Sequence, residues 1–412
     1  MLSDDLLPCN STLIQKASRQ LNIEVPSFDV ASQVEWSKKV ASLLPKWANQ
    51  NYELSEHGGG EVAYTLNECE VNRSPVEWIG EKDNRFPRES ALVGVKTGRL
   101  QYINLKNGCV LQMANLGHLV IAGDKVIAPL STPYAPLIPV VDLDIQKCIK
   151  NAVHVSGHAL LIADRFWEPN YAHWLLDVLA RFSIFIEDNG LDFRIIVSPI
   201  QRSWQRQMLA AVGVKSEDIV ELNGNTAITA ETLIVPSDTG GAVQHPCLRA
   251  HPTALERIRK SVNIPELKHL KDTVVIVSRE KRGTRLLTNE MELVERLERY
   301  GSVLVVDLEN FSIEEQWGIF HWSRGICAVH GAGLANTIML KSESFVVEVL
   351  PPSYANPAFW MISQGVGARY IGVTDVVENC FDRRPILRDV RLSKRSIESI
   401  TETLFLGKNK PF

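Results

Sequence analysis

The sequence predicts an α/β protein in two halves, each built around a largely parallel sheet. Short buried strands alternate with helices from about residue 159 to 236, and again from about residue 273 to 350. Between these regions, residues 237–247 are rich in glycine and polar side chains, which indicates a linker or a mobile cleft loop. The length of 412 residues fits two domains of ordinary size.

In the first half we expect a β-hairpin within a strand-rich section around residues 61–145. The turn is placed at Asn107-Gly108, because Asn-Gly accepts the positive φ angles of a tight turn. The strands of this hairpin are Gln101–Leu105 and Cys109–Met113.

Apolar β-branched runs predict the remaining strands, and amphipathic runs between caps and glycines predict the helices. Ser312 with Glu315 forms a capping box, and Asn289 with Glu292 resembles one. The predicted strands are Ala159–Ala163, Phe193–Val197, Thr232–Val235, Thr273–Val277, Val303–Asp307, Ile326–Val329 and Phe345–Leu350. The predicted helices are Tyr171–Glu187, Trp204–Val212, the segment from the cap Asn289 to Tyr300, the segment after Ser312, Leu334–Leu340 and Ser393–Phe405.

These patterns set the expected domain boundaries. Residues 1–60 are polar and helical in character, ahead of the strand-rich section. We expect an N-terminal domain over residues 1–240, a linker over 241–270, a C-terminal domain over 271–390, and a closing helix and tail over 391–412.

Composition excludes several classes of protein. The chain has 44 Lys and Arg against 48 Asp and Glu, a net charge of −4, which gives no overall field for binding nucleic acid. The seven cysteines contain no CxxC pair, so we expect reduced thiols. The amino terminus lacks the basic start and apolar core of a signal peptide, and no apolar run reaches the length of a membrane span. We therefore expect a cytoplasmic protein, with peripheral membrane contact left open.

The sharpest binding motif is ICAVHGAGLANTI at residues 326–338. A buried strand enters a Gly-Ala-Gly turn, and a helix starts directly after it. Glycines let the backbone approach a ligand, and amides at a helix start favour negative charge, so a phosphate is the expected occupant. A turn that needs glycine only for packing is an equal alternative. An NAD fingerprint fits less well, because its sixth position is Asn336 and two other strands precede it.

A basic segment precedes this motif in the same half. Ser278 and Arg279 stand at the end of a predicted strand, where open α/β sheets bind ligands. Lys281, Arg282 and Arg285 follow closely, and guanidinium groups suit pyrophosphate oxygens. The alternative is a solvated basic loop, but the position at a strand end favours phosphate contact.

The first half offers a polar stripe on the helix that begins near Tyr171. His173, Asp177 and Arg181 are spaced at i, i+4 and i+8 and fall on one face. A carboxylate beside an imidazole in a cleft could deprotonate a hydroxyl. The alternative is a surface ion pair without a catalytic role.

Other catalytic signatures are absent from the sequence. It contains no GxSxG, no GxxxxGK[ST] and no HExxH motif. Asp142 and Asp144 match the Asp-x-Asp pattern that some glycosyltransferases use for a divalent cation, but so short a pattern is common by chance. We therefore expect no metal site.

Taken together, the segments NYAHWLLDVLARF, VSREKRGTRLLTNEMELVERL, VHGAGLANTI and FVVEVLPP resemble glycosyltransferase family 61, the DUF563 group. This family includes plant xylosyl- and arabinosyltransferases, animal N-acetylglucosaminyltransferases and bacterial capsular polysaccharide biosynthesis proteins. The resemblance covers about residues 155–352. It implies a GT-B-like fold of two Rossmann-like domains facing a cleft, with a nucleotide sugar held by the C-terminal domain, inversion at the anomeric carbon and no obligatory metal.

The resemblance also implies roles for individual residues. His173 and Asp177 match the family's His-x-x-x-Asp helix, and Asn170 matches the Asn before it on the acceptor side. Ala180 departs from the family, since many members have Pro there. Glu348 is a candidate for the ribose hydroxyls. The implied donor-binding residues are Ser278, Arg279, Arg285, Asn289, His330, Gly331, Ala332, Gly333, Leu334 and Glu348.

The expected reaction is transfer of a sugar from a nucleotide sugar, with UDP the expected nucleotide, to a hydroxyl of a glycan or glycolipid. Asp177 would accept the hydroxyl proton, with His173 orienting it or serving instead. Arg279, Arg285 and the amides of Gly331–Leu334 would stabilise the leaving diphosphate, and domain closure would exclude water. Two alternatives stay open: a catalytically silent nucleotide-binding protein and an NAD-dependent Rossmann enzyme.

Overall fold

A computed structural model describes residues 52–406 apart from residues 54–58, 68, 72, 87–94, 97–98, 114–116, 128–129, 132–144, 164–169, 190–191, 224–226, 238–250, 355, 380–383 and 385–386. Nearly all of the helical region predicted at the amino terminus lies outside these residues. Asp142, Asp144 and most of the predicted linker loop at 237–247 also lie outside them.

Within the described residues the fold is a mixed α/β structure with two large open sheets. The strands are β1 (Tyr52–Glu53), β2 (Glu61–Leu66), β3 (Glu70–Val71), β4 (Glu77–Ile79), β5 (Val95–Lys96), β6 (Leu100–Lys106), β7 (Cys109–Met113), β8 (Gly117–Ala122), β9 (Lys125–Ile127), β10 (Val153–Leu161), β11 (Arg194–Val197), β12 (Ile219–Glu221), β13 (Ala227–Pro236), β14 (Val274–Val277), β15 (Val303–Val306), β16 (Gly325–Val329), β17 (Phe345–Val349), β18 (Arg369–Val373), β19 (Val376–Glu378) and β20 (Val390–Leu392).

Helices connect most of the later strands. The α-helices are α1 (Ile145–Lys150), α2 (Tyr171–His173), α3 (Leu179–Asn189), α4 (Ser203–Ala211), α5 (Pro252–Ser261), α6 (Glu290–Glu298), α7 (Ile313–Trp322), α8 (Ala358–Val366) and α9 (Lys394–Thr401). The 3₁₀-helices are Ser216–Asp218, Lys268–Leu270, Glu280–Arg282, Leu308–Asn310 and Ala332–Met339, and the π-helical segments are Trp174–Val178 and Glu402–Leu406.

The first sheet combines a parallel and an antiparallel part. Strands β12, β11, β10 and β13 lie side by side and run parallel. Counted along the chain, their order is 3-2-1-4, so the order reverses between β10 and β13. Strands β6 and β7 pair with β13 in the antiparallel sense and extend the sheet from there. Because ligands of such sheets bind at carboxyl ends beside a reversal, the residues after β10 are well placed for function.

The predicted hairpin at Asn107-Gly108 is wrong. Strands β6 and β7 do not pair with each other; both pair with β13, in one unbroken register in which Lys106 lies opposite Thr232 and Cys109 opposite Thr229. The Asn107 amide donates to the Glu231 carbonyl at 2.9 Å, which continues the ladder through the kink. Asn107 has a φ of 51°, but Gly108 does not have a positive φ, whereas a tight Asn-Gly turn needs one at both positions.

The second sheet is parallel throughout, in the order β15-β14-β16-β17-β18-β4. Its five C-terminal strands follow the doubly wound order 2-1-3-4-5, which reverses between β14 and β16. The sixth strand, β4, comes from the N-terminal part of the chain and pairs with β18. Glu77 at the start of β4 forms an ion pair with Arg369 on β18. The N-terminal segment therefore belongs to both sheets.

Helix starts in the second half test the capping predictions. Ser312 and Glu315 form the predicted capping box, with hydrogen bonds of 2.8 Å and 3.2 Å between each side chain and the other's amide. Asn289 does precede α6, but its side chain makes no capping bond. The segment after the Gly-Ala-Gly turn is a 3₁₀-helix, Ala332–Met339, in place of the α-helix that a nucleotide-binding turn predicts.

One apolar core extends from a face of the first sheet to a face of the second. It joins Trp174 and Phe182 of the first half to Trp317, Leu334 and Trp360 of the second. Separate cores cover the other face of each sheet. None of the helices within the described residues has the length and apolar character needed to cross a membrane. The shared core packs the helical segment after β10 against the 3₁₀-helix after β16.

Gly108→Ala is expected to lower the free energy of unfolding by about 1–3 kcal/mol, the range for overpacking a well-filled core. A Cβ atom at this position would lie 2.7 Å from Cβ of Leu233 on the paired strand, and neither atom can move without the backbone. Urea denaturation of the two proteins measures the difference.

Asn107→Gly is the matched control, because glycine accepts the φ of 51° at Asn107 without strain. This variant should be at least as stable as the parent. Equal stability of parent and Gly108→Ala would contradict the continuous pairing of this segment with β13.

Candidate functional site

Arg279 and Gly331 meet where the strand order of the second sheet reverses. Arg279 comes shortly after β14 and Gly331 shortly after β16, and these two strands are neighbours. The Arg279 guanidinium lies so close to Gly331 that a Cβ atom there would collide with Nη1. A side chain at this position would require the end of the Arg279 side chain to move. The prediction that the basic segment and the glycine turn belong to one site agrees with this contact.

The predicted basic loop divides into two functional parts. Lys281 Nζ lies 3.2 Å from Asp307 Oδ2, and Arg282 Nη2 lies 2.8 Å from Glu309 Oε1. These two cations are exposed, so the alternative of a solvated basic loop describes Lys281 and Arg282. Arg279 is largely buried, and no carboxylate pairs with it among the described residues. Only part of the basic segment therefore faces the glycine turn.

The electrostatics at Arg279 favour a bound anion. Burial, with the charges of Arg285 and Arg282, lowers the pKa of Arg279 to about 9. The guanidinium is still charged at neutral pH, and its neighbours add positive charge. Its Nε donates to the Thr284 carbonyl at 3.2 Å, which fixes the side chain in place. A ligand with negative charge would relieve the repulsion among these cations.

Arg285 and His330 are linked through Tyr354, which the sequence patterns did not indicate. The Arg285 guanidinium lies 5.2 Å from the centroid of the Tyr354 ring. The same ring packs edge-on against the imidazole of His330, with centroids 5.0 Å apart. Arg285 has a φ of 52°, an uncommon conformation for a residue with a side chain. The backbone is thus held in a specific shape where Arg285 joins the site.

His330 is held from inside the sheet by Glu348. The His330 Nδ1 atom hydrogen-bonds Oε1 of Glu348, which has 0% exposure, and the Tyr370 hydroxyl donates to Oε2 at 2.5 Å. Burial and the nearby Glu348 raise the pKa of Tyr370 well above its ordinary value, so the phenol remains a donor. Both oxygens of Glu348 are engaged inside the protein. In this structure the Glu348 carboxylate therefore orients His330, and its contact with ribose hydroxyls stays a prediction.

Two further residues of the implied donor set support the fold. Asn289 is buried, accepts a hydrogen bond from the Leu392 amide at 3.0 Å and donates one to the Leu392 carbonyl at 3.1 Å. Its amide therefore joins α6 to β20, and we assign Asn289 to the fold. Ser278 Oγ accepts a hydrogen bond from the Glu280 amide at 3.4 Å and also hydrogen-bonds the Glu290 side chain. Its hydroxyl therefore stabilises the loop after β14 and the start of α6.

The other residues of the glycine turn form the start of the 3₁₀-helix. Gly331 is its N-cap, and Ala332 is its first residue. A Cβ atom at Gly333 would lie 2.8 Å from Cδ1 of Leu308, and Leu334 is buried in the shared core. Packing thus explains Gly333 and Leu334, while the first amides of the helix have no partner within it and can meet a ligand.

The helix after β10 is not a single α-helix. Asn170 caps α2, with Oδ1 accepting the Ala172 amide at 2.9 Å. A π-helical segment over Trp174–Val178 then interrupts the helix before α3. Such segments often occur at functional sites. Because a π-helical turn holds more residues than an α-helical turn, the three positions of the predicted polar stripe no longer share one face. Arg181 is buried, with only 8% exposure, and does not continue the stripe.

His173 and Asp177 form the predicted pair across this π-helical turn. His173 Nδ1 lies 2.7 Å from Asp177 Oδ2, and both side chains keep about a sixth of their surface exposed (16% and 15%). A carboxylate at this distance fixes the orientation of the imidazole ring. The arrangement can accept a proton from a hydroxyl that reaches the remaining ring nitrogen.

A partly buried hydrogen bond connects the helix of this pair to the segment after the glycine turn. The Tyr171 hydroxyl donates to Oδ1 of Asn336 at 2.6 Å, and Asn336 has 0% exposure. Tyr171 is two residues before His173, and Asn336 follows the Gly-Ala-Gly turn. No sequence pattern indicated this bond, since Asn336 was noted only as a departure from an NAD fingerprint. The two candidate groups therefore lie on adjoining segments.

Among the described residues, no group of three or more His, Cys, Asp or Glu side chains could hold a metal ion. Asp142 and Asp144, the sequence's one Asp-x-Asp candidate, lie outside those residues. The absence of a metal requirement thus stays a prediction.

A family model matches the part of the chain that carries these residues. A search of the curated proteins finds no match to the chain. Residues 171–347 match the family model described as Glycosyltransferase 61. The matched range begins at Tyr171 and includes the His173–Asp177 pair, Arg279 and the whole glycine turn. The chain is therefore a glycosyltransferase, with a glycosyltransferase family 61 domain over residues 171–347.

Proposed function

We propose that the chain is an inverting, metal-independent glycosyltransferase of GT-B architecture that uses a UDP-sugar donor. The observation that carries the donor assignment is the partly buried Arg279 guanidinium against the backbone of Gly331. It lies at the reversal of a doubly wound sheet, where nucleotides bind in other proteins. The family resemblance supports a hydroxyl of a glycan or glycolipid as the acceptor, with a role in surface polysaccharide synthesis.

In this proposal Arg279 and Arg285 bind the diphosphate of the donor. As the bond from the anomeric carbon to the diphosphate breaks, its electron pair remains on the departing oxygen. Preorganised positive groups in a partly buried site stabilise that charge better than water does. His330, fixed by Glu348, lies beside the same turn and adds a polar contact to the leaving group. These groups take the place of a divalent cation.

The proton of the acceptor hydroxyl goes to the His173–Asp177 pair. The carboxylate of Asp177 engages Nδ1 of His173, so Nε2 is the nitrogen that can accept a proton. In other His–Asp pairs the carboxylate orients the ring and stabilises the imidazolium that forms. This geometry favours the second of the two roles considered from the sequence, in which His173 serves as the base. The acceptor oxygen then bonds to the anomeric carbon from the face opposite the leaving diphosphate.

Arg279→Ala is expected to weaken UDP binding by about 1.5–3 kcal/mol, the range for a hydrogen bond to a charged group. This corresponds to roughly a 10- to 150-fold increase in Kd. Isothermal titration calorimetry measures it directly. Lys281→Ala is the matched control, because Lys281 is exposed and paired with Asp307. Equal UDP affinity in parent and folded Arg279→Ala would remove the donor site from this turn.

His173→Ala and Asp177→Asn are each expected to reduce turnover by about 10²–10⁴-fold, the usual contribution of a general base. UDP affinity should change little, because the base acts on the acceptor in the transition state. UDP release from a panel of UDP-sugars measures turnover, and donor hydrolysis suffices when the acceptor is missing.

Added imidazole separates the two roles of the pair. It should restore part of the turnover of His173→Ala, where a cavity replaces the base, and none of the turnover of Asp177→Asn. Full turnover in His173→Ala with loss in Asp177→Asn would make Asp177 the base.

Turnover is expected to continue in excess EDTA, since the arginines and the amides of the turn stabilise the negative charge of the diphosphate that a metal would otherwise neutralise. The rates with EDTA, and with EDTA followed by excess Mn²⁺, should agree within about 2-fold, well below the effect of a catalytic metal. Loss of activity in EDTA with recovery in Mn²⁺ would direct attention to Asp142 and Asp144.

A further inference from the structure

A chain of buried and partly buried hydrogen bonds runs from the His173–Asp177 helix through the glycine-turn helix. The Tyr171 hydroxyl donates to Asn336 Oδ1 at 2.6 Å, and Asn336 Nδ2 donates to Gln316 Oε1 at 3.3 Å. Gln316 Nε2 donates in turn to the carbonyls of Leu308 at 2.8 Å and Phe311 at 3.2 Å. The chain thus ends on backbone groups between β15 and α7.

The direction of every bond in this chain is determined. The two carbonyls can only accept, so they fix the Gln316 amide with Nε2 toward them and Oε1 toward Asn336. Asn336 must then present Nδ2 to Gln316 and Oδ1 to Tyr171. Burial raises the pKa of Tyr171, which keeps its hydroxyl a donor. A buried polar chain with every member paired holds its parts in one arrangement.

The chain joins the two groups on which the proposed reaction depends. Tyr171 lies in α2, the same short helix as His173, and the π-helical segment that carries Asp177 follows directly. Asn336 lies in the 3₁₀-helix whose first residues form the glycine turn. The ring of Tyr171 also packs against Trp204, with centroids 5.5 Å apart, so the hydroxyl is held from both sides.

We propose that Tyr171 and Asn336 are positioning residues, which set the separation between the base His173 and the diphosphate at the glycine turn. This inference rests on the proposed function. Neither side chain touches a substrate; each acts through the segment that carries it. A displacement of about 1 Å between reacting groups can lower a rate by about 10²-fold, so a bond that fixes this separation has a kinetic effect beyond its contribution to stability.

Tyr171→Phe removes the hydroxyl and keeps the ring. Its turnover should fall by about 10-fold or more, while its Kd for UDP stays within about 2-fold of the parent value. Tyr102→Phe is the matched control. The Tyr102 hydroxyl is also buried and donates to the same helical region, at the Arg181 carbonyl (2.5 Å), but it does not reach the glycine turn. Tyr102→Phe should keep its turnover, even where both variants lose similar thermal stability.

The double variant Tyr171→Phe/His173→Ala tests whether Tyr171 acts through the base. We expect its turnover to equal that of His173→Ala alone, because a misplaced base no longer matters when the base is absent. A further loss in the double variant, or unchanged turnover in Tyr171→Phe, would overturn the positioning role while leaving the proposed function intact. Full turnover in His173→Ala would overturn both the positioning role and the assignment of His173 as the base.

Discussion

The approach of the Arg279 guanidinium to Gly331 is the constraint on which the rest of the site depends. It requires β14 and β16 to be neighbours, which the reversal of strand order provides. It also fills the space that a side chain at Gly331 would enter, and it leaves a cation in a partly buried place. The charges around this contact are also arranged to suit it. Lys281 and Arg282 are neutralised by acids on the adjacent loop, so positive charge is concentrated at the strand ends.

The acidic residues of the site show how burial decides a role. Glu348 and Asp177 each pair with a histidine, but Glu348 is inside a sheet and Asp177 is partly exposed. The buried carboxylate can only organise its own surroundings, and a second donor, Tyr370, completes its hydrogen bonds. The His173–Asp177 pair is partly exposed, and in the proposed function it is the pair that meets a substrate. The same combination of residues thus has a different surrounding in each half.

The sequence predicted the α/β class, most strands of the second half and the association of Arg279 with the glycine turn, because these depend on local periodicity and on strand ends. It failed where partners distant in the chain decide the outcome. Asn107-Gly108 has a turn composition, yet β13 holds both flanking strands in one ladder. Asn289 has the position of a cap, yet Leu392 engages its amide. Tyr171 and Asn336 are 165 residues apart, and no spacing rule connects them.

The origin of β4 has a consequence for how the chain is assembled. Glu77 and Arg369 are paired across 292 residues, so the second sheet receives its edge strand from a segment synthesised long before the rest of it. During translation this segment must remain unpaired until β18 has emerged. A C-terminal fragment that begins after the first sheet would leave β18 as an open parallel edge, the kind of surface that promotes association between chains. The two halves must therefore be made as one chain, because the second half depends on the first for the edge strand of its sheet.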